Sequence, residues 1–258
     1  MDAGTPPSQT SPTSTDPVEV AAFQVARGLV LDRIARAAQR AGRDPAAIGL
    51  VAVSKTVRPD RLRAAVAAGL AVLGENRVQE GEDKRGLVGL ATWHLIGPLQ
   101  SNKVRRAIAA FEVIQSVDSL ELGRRIDHLV ADVRGAGTRL PVFVQVNVDE
   151  DPAKAGYAPE RLAADLPQLG ALAGLELLGL MTIGRLVADP AEARPTFIAL
   201  RRLSEQLRAQ LPALGPGLSM GMSSDFEVAV EEGATLVRVG RALFGDRPAR
   251  DAGPGLPG

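Results

Sequence analysis

Leu50-Val51-Ala52-Val53-Ser54-Lys55 is a run of small and β-branched apolar residues that ends on a single lysine. It reads as a buried strand that carries an amine to the edge of the fold. Charged side chains are seldom fully buried without a partner. The lysine therefore sits at the solvent-facing mouth of its strand or is desolvated for chemistry. Desolvation lowers an amine's pKa and makes it a nucleophile toward aldehydes and ketones. On this stretch alone, a strand-end lysine that only solubilises a loop remains open.

The stretch opens a repeat. The strand over Ile48–Lys55 leads to a helix that starts at Pro59-Asp60 and ends at Gly69, with Pro at the start and Gly at the end as helices favour. Strand Ala71–Asn76 leads to a helix from about Val78, and strand Thr92–Gly97 to one from about Asn102. Strand Glu112–Val117 precedes Asp118-Ser119, an N-cap signal for a helix to about Arg134. Strand Leu140–Val148 is followed by a polar loop and a helix from Pro159; strand Leu175–Ile183 by a helix over Ala191–Gln210. Strand Leu218–Met222 leads through Ser223-Ser224-Asp225 to a short helix, and strand Leu236–Gly240 is last. Alternating βα units imply a parallel sheet. About eight of them in about 200 residues imply a closed (β/α)8 TIM barrel, in a chain of 258 residues.

An open doubly wound sheet is the competing architecture. It wants a Gly-x-Gly-x-x-Gly turn after its first strand. Here that turn is Lys55-Thr56-Val57-Arg58-Pro59, without glycine, so a nicotinamide-dinucleotide enzyme is not expected. Before the first strand, Val20, Phe23, Val25, Leu29, Leu31 and Ile34 recur at helical spacing and predict an extra N-terminal helix over Val18–Ala41. That helix is open to two uses, a dimer contact or a cover for the barrel. Residues 1–16 are dominated by Ser, Thr, Pro, Gly and Asp and read as a disordered tail; residues 17–246 are the barrel domain; 247–258 read as a flexible tail.

Composition narrows the function. Lys plus Arg and Asp plus Glu are both 30, so the formal net charge is zero, which speaks against nucleic-acid binding. There is no cysteine, and the only histidines are His94 and His128. Disulfides, thiolate metal sites and histidine-rich metal sites are thereby excluded. No apolar run is long enough for a membrane span and no signal peptide is expected, so the expected location is cytoplasmic.

Barrel chemistry sits at the carboxyl ends of the strands. Lys55, Asn76, His94, Asn147, Thr182, Ser223 and Arg238 occupy those ends. Each has a plain structural reading: Asn76 as a helix cap, His94 as a satisfied core histidine, Asn147 as a strand terminus. Met222-Ser223-Ser224-Asp225 and Arg238-Val239-Gly240-Arg241 look like an anion cradle, with hydroxyls and backbone N–H groups in the loops after strands seven and eight. Barrels often hold a phosphate there. Closure puts those loops next to the first strand and its lysine. A phosphate site beside a strand-end lysine suggests pyridoxal 5′-phosphate, whose aldehyde forms an imine with an amine. A sugar-phosphate aldolase using the same imine chemistry is the competing idea.

Ala52–Thr56, Gly74–Glu80, Trp93–Lys103, Gly179–Met181, Leu218–Asp225 and Val237–Gly240 together resemble the pyridoxal phosphate homeostasis protein family, in order, from about residue 20 to 246. The resemblance implies a single barrel like the N-terminal domain of alanine racemase, with pyridoxal 5′-phosphate joined to Lys55. It further implies that Ser223, Ser224, Gly240 and Arg241 hold the phosphate, that Arg238 faces the pyridine nitrogen, and that Asn76 lines the pocket. It implies a carrier or regulator of vitamin B6 rather than an enzyme with an agreed substrate; the expected partners are the cofactor and cofactor-dependent client enzymes, and the expected state is monomer or weak dimer. The residues add an argument. Guanidinium is effectively never deprotonated, so an arginine beside the pyridine leaves the cofactor a poor electron sink. A racemase-like enzyme of low activity is the alternative. It needs a second base, and the chain's one tyrosine, Tyr157, lies in the loop after the fifth strand, where it reads as a surface residue. Lys154 in the same loop reads as a solvated charge or a second amine contact.

Overall fold

The computed structural model describes residues 15–185 and 187–245. The expected tails, 1–16 and 247–258, lie outside them except for residues 15 and 16. β1 (Gly49–Val53) alternates its side chains between two environments. Ala52 joins the outer core with Leu62 and Ile34, whereas Val51 packs toward Gly74 and Ile96 on the inside. That alternation is what a barrel strand requires. Seven further parallel strands repeat it: β2 (Val72–Glu75), β3 (Thr92–Leu95), β4 (Val113–Val117), β5 (Leu140–Gln145), β6 (Leu175–Met181), β7 (Gly217–Ser219) and β8 (Leu236–Val239). They close in sequence order, β8 pairing back onto β1 with Val51 opposite Arg238 and Ala52 opposite Val239.

The helices fall where the proline, serine and glycine signals put them. α1 spans Pro17–Arg40, α2 Pro59–Ala67, α3 Val78–Val88, α4 Val104–Ala110, α5 Leu120–Arg134, α6 Pro159–Gly170, α7 Arg194–Gln210, α8 Phe226–Glu231 and α9 Arg241–Phe244. Ser119 caps α5, its hydroxyl accepting from Leu122 N at 3.2 Å. The strands are shorter than the sequence reading at their carboxyl ends. β1 stops at Val53, not Lys55, and β7 at Ser219, not Met222, because the chain leaves the ladder there to build the mouth.

α1 lies outside the barrel against α2, α8 and α9, over the seam where β1 meets β8. Phe23 packs edge-on to Phe244 at 5.6 Å, and the Arg33 guanidinium sits 4.5 Å above the Phe226 ring while pairing with Glu227 at 2.9 Å. The helix is thus a cover for the seam; its far side exposes Val18, Val25 and Leu29.

The lumen is filled in two parts. Val113, Phe143 and Met181 form a small apolar plug backed by Leu178, Ile183 and Leu236. Level with Phe143 the barrel is pinched where β6 approaches β7. A Cβ on Gly179, which has φ 148°, would lie 1.9 Å from the Gly217 carbonyl oxygen, so only glycine fits. The β5–β6 register shifts beside it, between Val142 and Phe143. Arg238, Ser219, Gln115 and His94 supply polar lumen positions that lead to the site.

Candidate functional site

A hydrogen-bonded chain crosses the barrel below its mouth. Arg238, on β8 and 4% exposed, donates from one terminal nitrogen to Ser219 Oγ and from the other to the Thr182 carbonyl, both at 2.7 Å. Ser219 donates in turn to Gln115 Oε1 at 2.6 Å, and Gln115 Nε2 lies 2.7 Å from His94 Nδ1. An arginine has donors only, so the direction of the whole chain follows. Ser219 spends its proton on Gln115, Gln115 donates to Nδ1, and His94 keeps its proton on Nε2. Burial lowers His94 to a pKa of about 4, so it is neutral near pH 7. Burial also lowers Arg238, to about 10, against the attraction of Asp225, and it remains a cation. His94 is therefore the satisfied core histidine that its apolar strand suggests. Ser219 and Gln115 were not legible as partners; their one signal is a polar residue in an otherwise apolar strand.

Above this chain stands the mouth. Ser54 turns outward to Glu75, and Lys55, half-buried, follows it just past the end of β1. The loops after β7 and β8 meet beside it. Gly240 N donates to Ser223 Oγ at 3.2 Å, and a Cβ on Gly240 would lie 3.3 Å from Val53 Cβ. Ser223 and Ser224 with Arg241, Ala242 and Gly245 line an open cleft of about 400 Å³. Ser223 does not cap α8; Asp225 holds that position, and its carboxylate accepts from Met222 N at 2.6 Å, fixing the loop. α8 and α9 are one-turn helices, so the cleft depends on loop hydroxyls, amides and Arg241 rather than on a helix dipole.

The other rim residues divide. Asn76 is half-buried at the end of β2 and does not cap α3, whose N-cap is Arg77. Asn147 staples its own loop, with Nδ2 donating to the Asp151 carbonyl at 2.8 Å and Oδ1 accepting from Asp151 N. The Thr182 hydroxyl points away, to the Val146 carbonyl at 2.8 Å, and only its backbone serves the lumen. Lys154 is not a freely solvated charge: Nζ lies 3.3 Å from the Ile183 carbonyl and 3.6 and 3.7 Å from Asp149 and Asp151. Tyr157 needs correction. It is 4% exposed rather than a surface residue, because its backbone bridges Val146 and draws the ring into the outer core. Burial pushes its phenol well above the usual range, helped by nearby Asp165.

A further cluster lies behind the mouth. Lys84 Nζ, on α3, contacts Ser54 O and Glu75 Oε1, each at 2.8 Å, and Glu80 Oε1 at 2.6 Å. Desolvation raises Glu75 despite Lys84, and the Lys84 and Thr56 hydrogen bonds hold Glu80 below the usual carboxylate range. Lys84 reads from sequence as one more charge on a solvated helix.

Residues 26–248 match the family model described as "Alanine racemase, N-terminal domain". That defines the class: a racemase-type barrel. The pyridoxal phosphate homeostasis protein of Pseudomonas aeruginosa is 46% identical over 227 residues, covering 87% of this chain and 94% of that one. The structure of PipY from Synechococcus elongatus with PLP bound is 41% identical, with a TM-score of 0.73, covering 82% of this chain and all of that one. Alanine racemase of Clostridium difficile shares the fold at 16% identity and a TM-score of 0.69, with this chain spanning 58% of it. The chain belongs to the pyridoxal phosphate homeostasis protein family. Among the described residues no helix is long and apolar enough to cross a membrane, and no group of acidic and histidine residues could hold a metal ion.

Proposed function

We propose that this chain binds pyridoxal 5′-phosphate on Lys55 and serves as a cytoplasmic carrier and regulator of that cofactor for client enzymes. The Lys55 amine condenses with the aldehyde to an imine, with loss of one water. The observation that carries the reading is the seam: β1, which delivers Lys55, is hydrogen-bonded to β8, which delivers Gly240, and Gly240 is tied to Ser223. Phosphate would rest on Ser223, Ser224, Gly240 and Arg241, with Asn76 beside the ring. Arg238 would face the pyridine nitrogen and leave it unprotonated. PLP in the related PipY structure supports the assignment.

A carrier is favoured over a racemase by the second-base problem. Tyr157 is turned into the outer core with its phenol pushed up, so it is poorly placed to take a proton in the mouth. The test is the absorption spectrum of the protein as isolated, before and after borohydride. The expected result is a protonated-imine band that borohydride abolishes, leaving a pyridoxyl group on Lys55. Full, reducible loading of Lys55→Ala would refute the assignment. Stereospecific α-deuterium uptake into a single amino-acid enantiomer at an enzymic rate would replace the carrier by a racemase.

A further inference from the structure

The backbone that carries Lys55 has left the strand ladder. Val53 is the last residue of β1, and Ser54 N makes one more bond, to the Gly74 carbonyl at 2.9 Å. Nothing regular sets the direction of residues 55 and 56. Yet Thr56 sits at φ 67°, in the left-handed region, one of two non-glycine residues there among the described residues. A β-branched residue in that region is strained and stays there only when its surroundings hold it.

The surroundings that hold it are the buried cluster on α3. Glu80 Oε1 accepts from Thr56 N at 2.5 Å. Lys84 Nζ donates to that same oxygen and to the Ser54 carbonyl. The residue before Lys55 and the residue after it are thus tied to one ammonium, directly on one side and through one carboxylate on the other. Glu75 completes the cage, accepting from Lys84 and, at 2.7 Å, from the Ser54 hydroxyl. The Lys84 side chain is 8% exposed and that of Glu75 fully buried. Burying such charges has a desolvation cost that the pairing must offset, so this is a poor way merely to stabilise a barrel.

We infer that Lys84 and Glu80 are positioning residues, which clamp the Ser54–Thr56 turn from outside the barrel so that the Lys55 amine is presented to the Ser223–Gly240 cradle. The inference rests on the reading of Lys55 as the imine lysine. It requires no contact between the clamp and the cofactor. The Thr56 turn is the mechanical link.

The test uses the full chain as wild type, Glu80→Ala, Glu80→Gln and Thr56→Gly, each stripped of cofactor and reloaded with pyridoxal 5′-phosphate. Three readouts are taken: the rate of imine formation by absorbance, the visible circular dichroism of the imine band, and the share of pyridoxyl label on Lys55 after borohydride. Misplacing a reacting group by an ångström costs up to about a hundredfold in rate. Glu80→Ala is expected to slow imine formation at least tenfold and to weaken the dichroism. Glu80→Gln, whose amide oxygen still accepts from Thr56 N, should return to within about threefold of wild type. Thr56→Gly keeps the N–H that Glu80 accepts and enters the left-handed region without strain, so it should keep the wild-type rate and dichroism. A wild-type rate and dichroism in Glu80→Ala would overturn the inference while leaving the Lys55 reading intact. Glu80→Gln as slow as Glu80→Ala would overturn it too. A wild type that takes no label on Lys55 would instead overturn the cofactor reading, and the clamp's purpose with it.

Discussion

Ser219 is the single atom-sized link between the two halves of the polar chain in the barrel, so Ser219→Ala should be costly out of proportion to its size. Its hydroxyl accepts from Arg238 and donates to Gln115, and the residue is fully buried. A hydrogen bond to a charged group is worth about 1.5–3 kcal/mol and a neutral one about 1 kcal/mol. Losing both gives a destabilisation of about 2.5–4 kcal/mol. The space vacated by one oxygen is smaller than the roughly 30 Å³ a water occupies, so solvent should not restore the link. For a chain of this size each kcal/mol moves Tm by about 2–4 °C, which predicts a fall of roughly 5–16 °C. Urea unfolding followed by far-ultraviolet circular dichroism gives the free energy. A cycle with Gln115→Leu isolates the coupling, expected at about 1–2 kcal/mol. A loss below about 1 kcal/mol would refute the argument, since Arg238 and Gln115 would then have partners other than this hydroxyl.

Two further predictions concern stability. His94 has a folded pKa of about 4 against about 6.5 unfolded, so the unfolded chain binds more protons between those values. Stability should therefore fall as pH drops through 6.5 and level off below about 4, this residue contributing about 3 kcal/mol to the loss; a His94 ring resonance titrating near 6.5 would refute it. On α3, Gly81→Ala and Gly86→Ala should have opposite signs. Alanine gains up to about 1 kcal/mol over glycine in either place. At residue 81, however, its Cβ would lie 2.2 Å from Phe111 Cζ, and such overpacking costs about 1–3 kcal/mol. At residue 86 nothing lies within 4 Å. Thermal melts of the two variants decide the matter, and equal shifts would show that Phe111 moves aside freely.

The barrel was legible because strand length, helix punctuation and the order of the units all agree with one closed architecture. β1, α5 and the Pro59 and Pro159 helix starts fall within a residue or two of the reading. What escaped has a common physical origin: a pattern names the face a residue occupies, not the partner it meets. Glu75 adjoins Asn76 at the strand end, and alternation turns it outward to Lys84 on α3. Lys84 sits among Glu82, Asp83 and Arg85, and only the packed structure shows it buried. Tyr157 reads as exposed because its loop is polar, and one backbone bridge to Val146 reverses that. Ser223 bonds across to Gly240 and does not cap the next helix.

Among the described residues two cations are buried, Lys84 and Arg238, and they are handled in opposite ways, a contrast that bears on what each can do. Lys84 is surrounded by carboxylates, so its charge is cancelled locally and little field reaches the lumen beyond the sheet. Arg238 is bonded to a hydroxyl and a carbonyl, neither of which carries charge, and Asp225, the acid that opposes its deprotonation, is itself raised by burial. Its positive potential is therefore only partly neutralised, and in a low-dielectric interior it acts over a longer range. With a pKa of about 10, Arg238 keeps that charge at any pH the protein would work at. A cation of this kind favours anions at the mouth and disfavours protonation of any nitrogen held above it. On the proposed reading, the same residue that helps draw in a phosphate ester also keeps the bound ring electronically weak, so binding is promoted while carbanion chemistry is not.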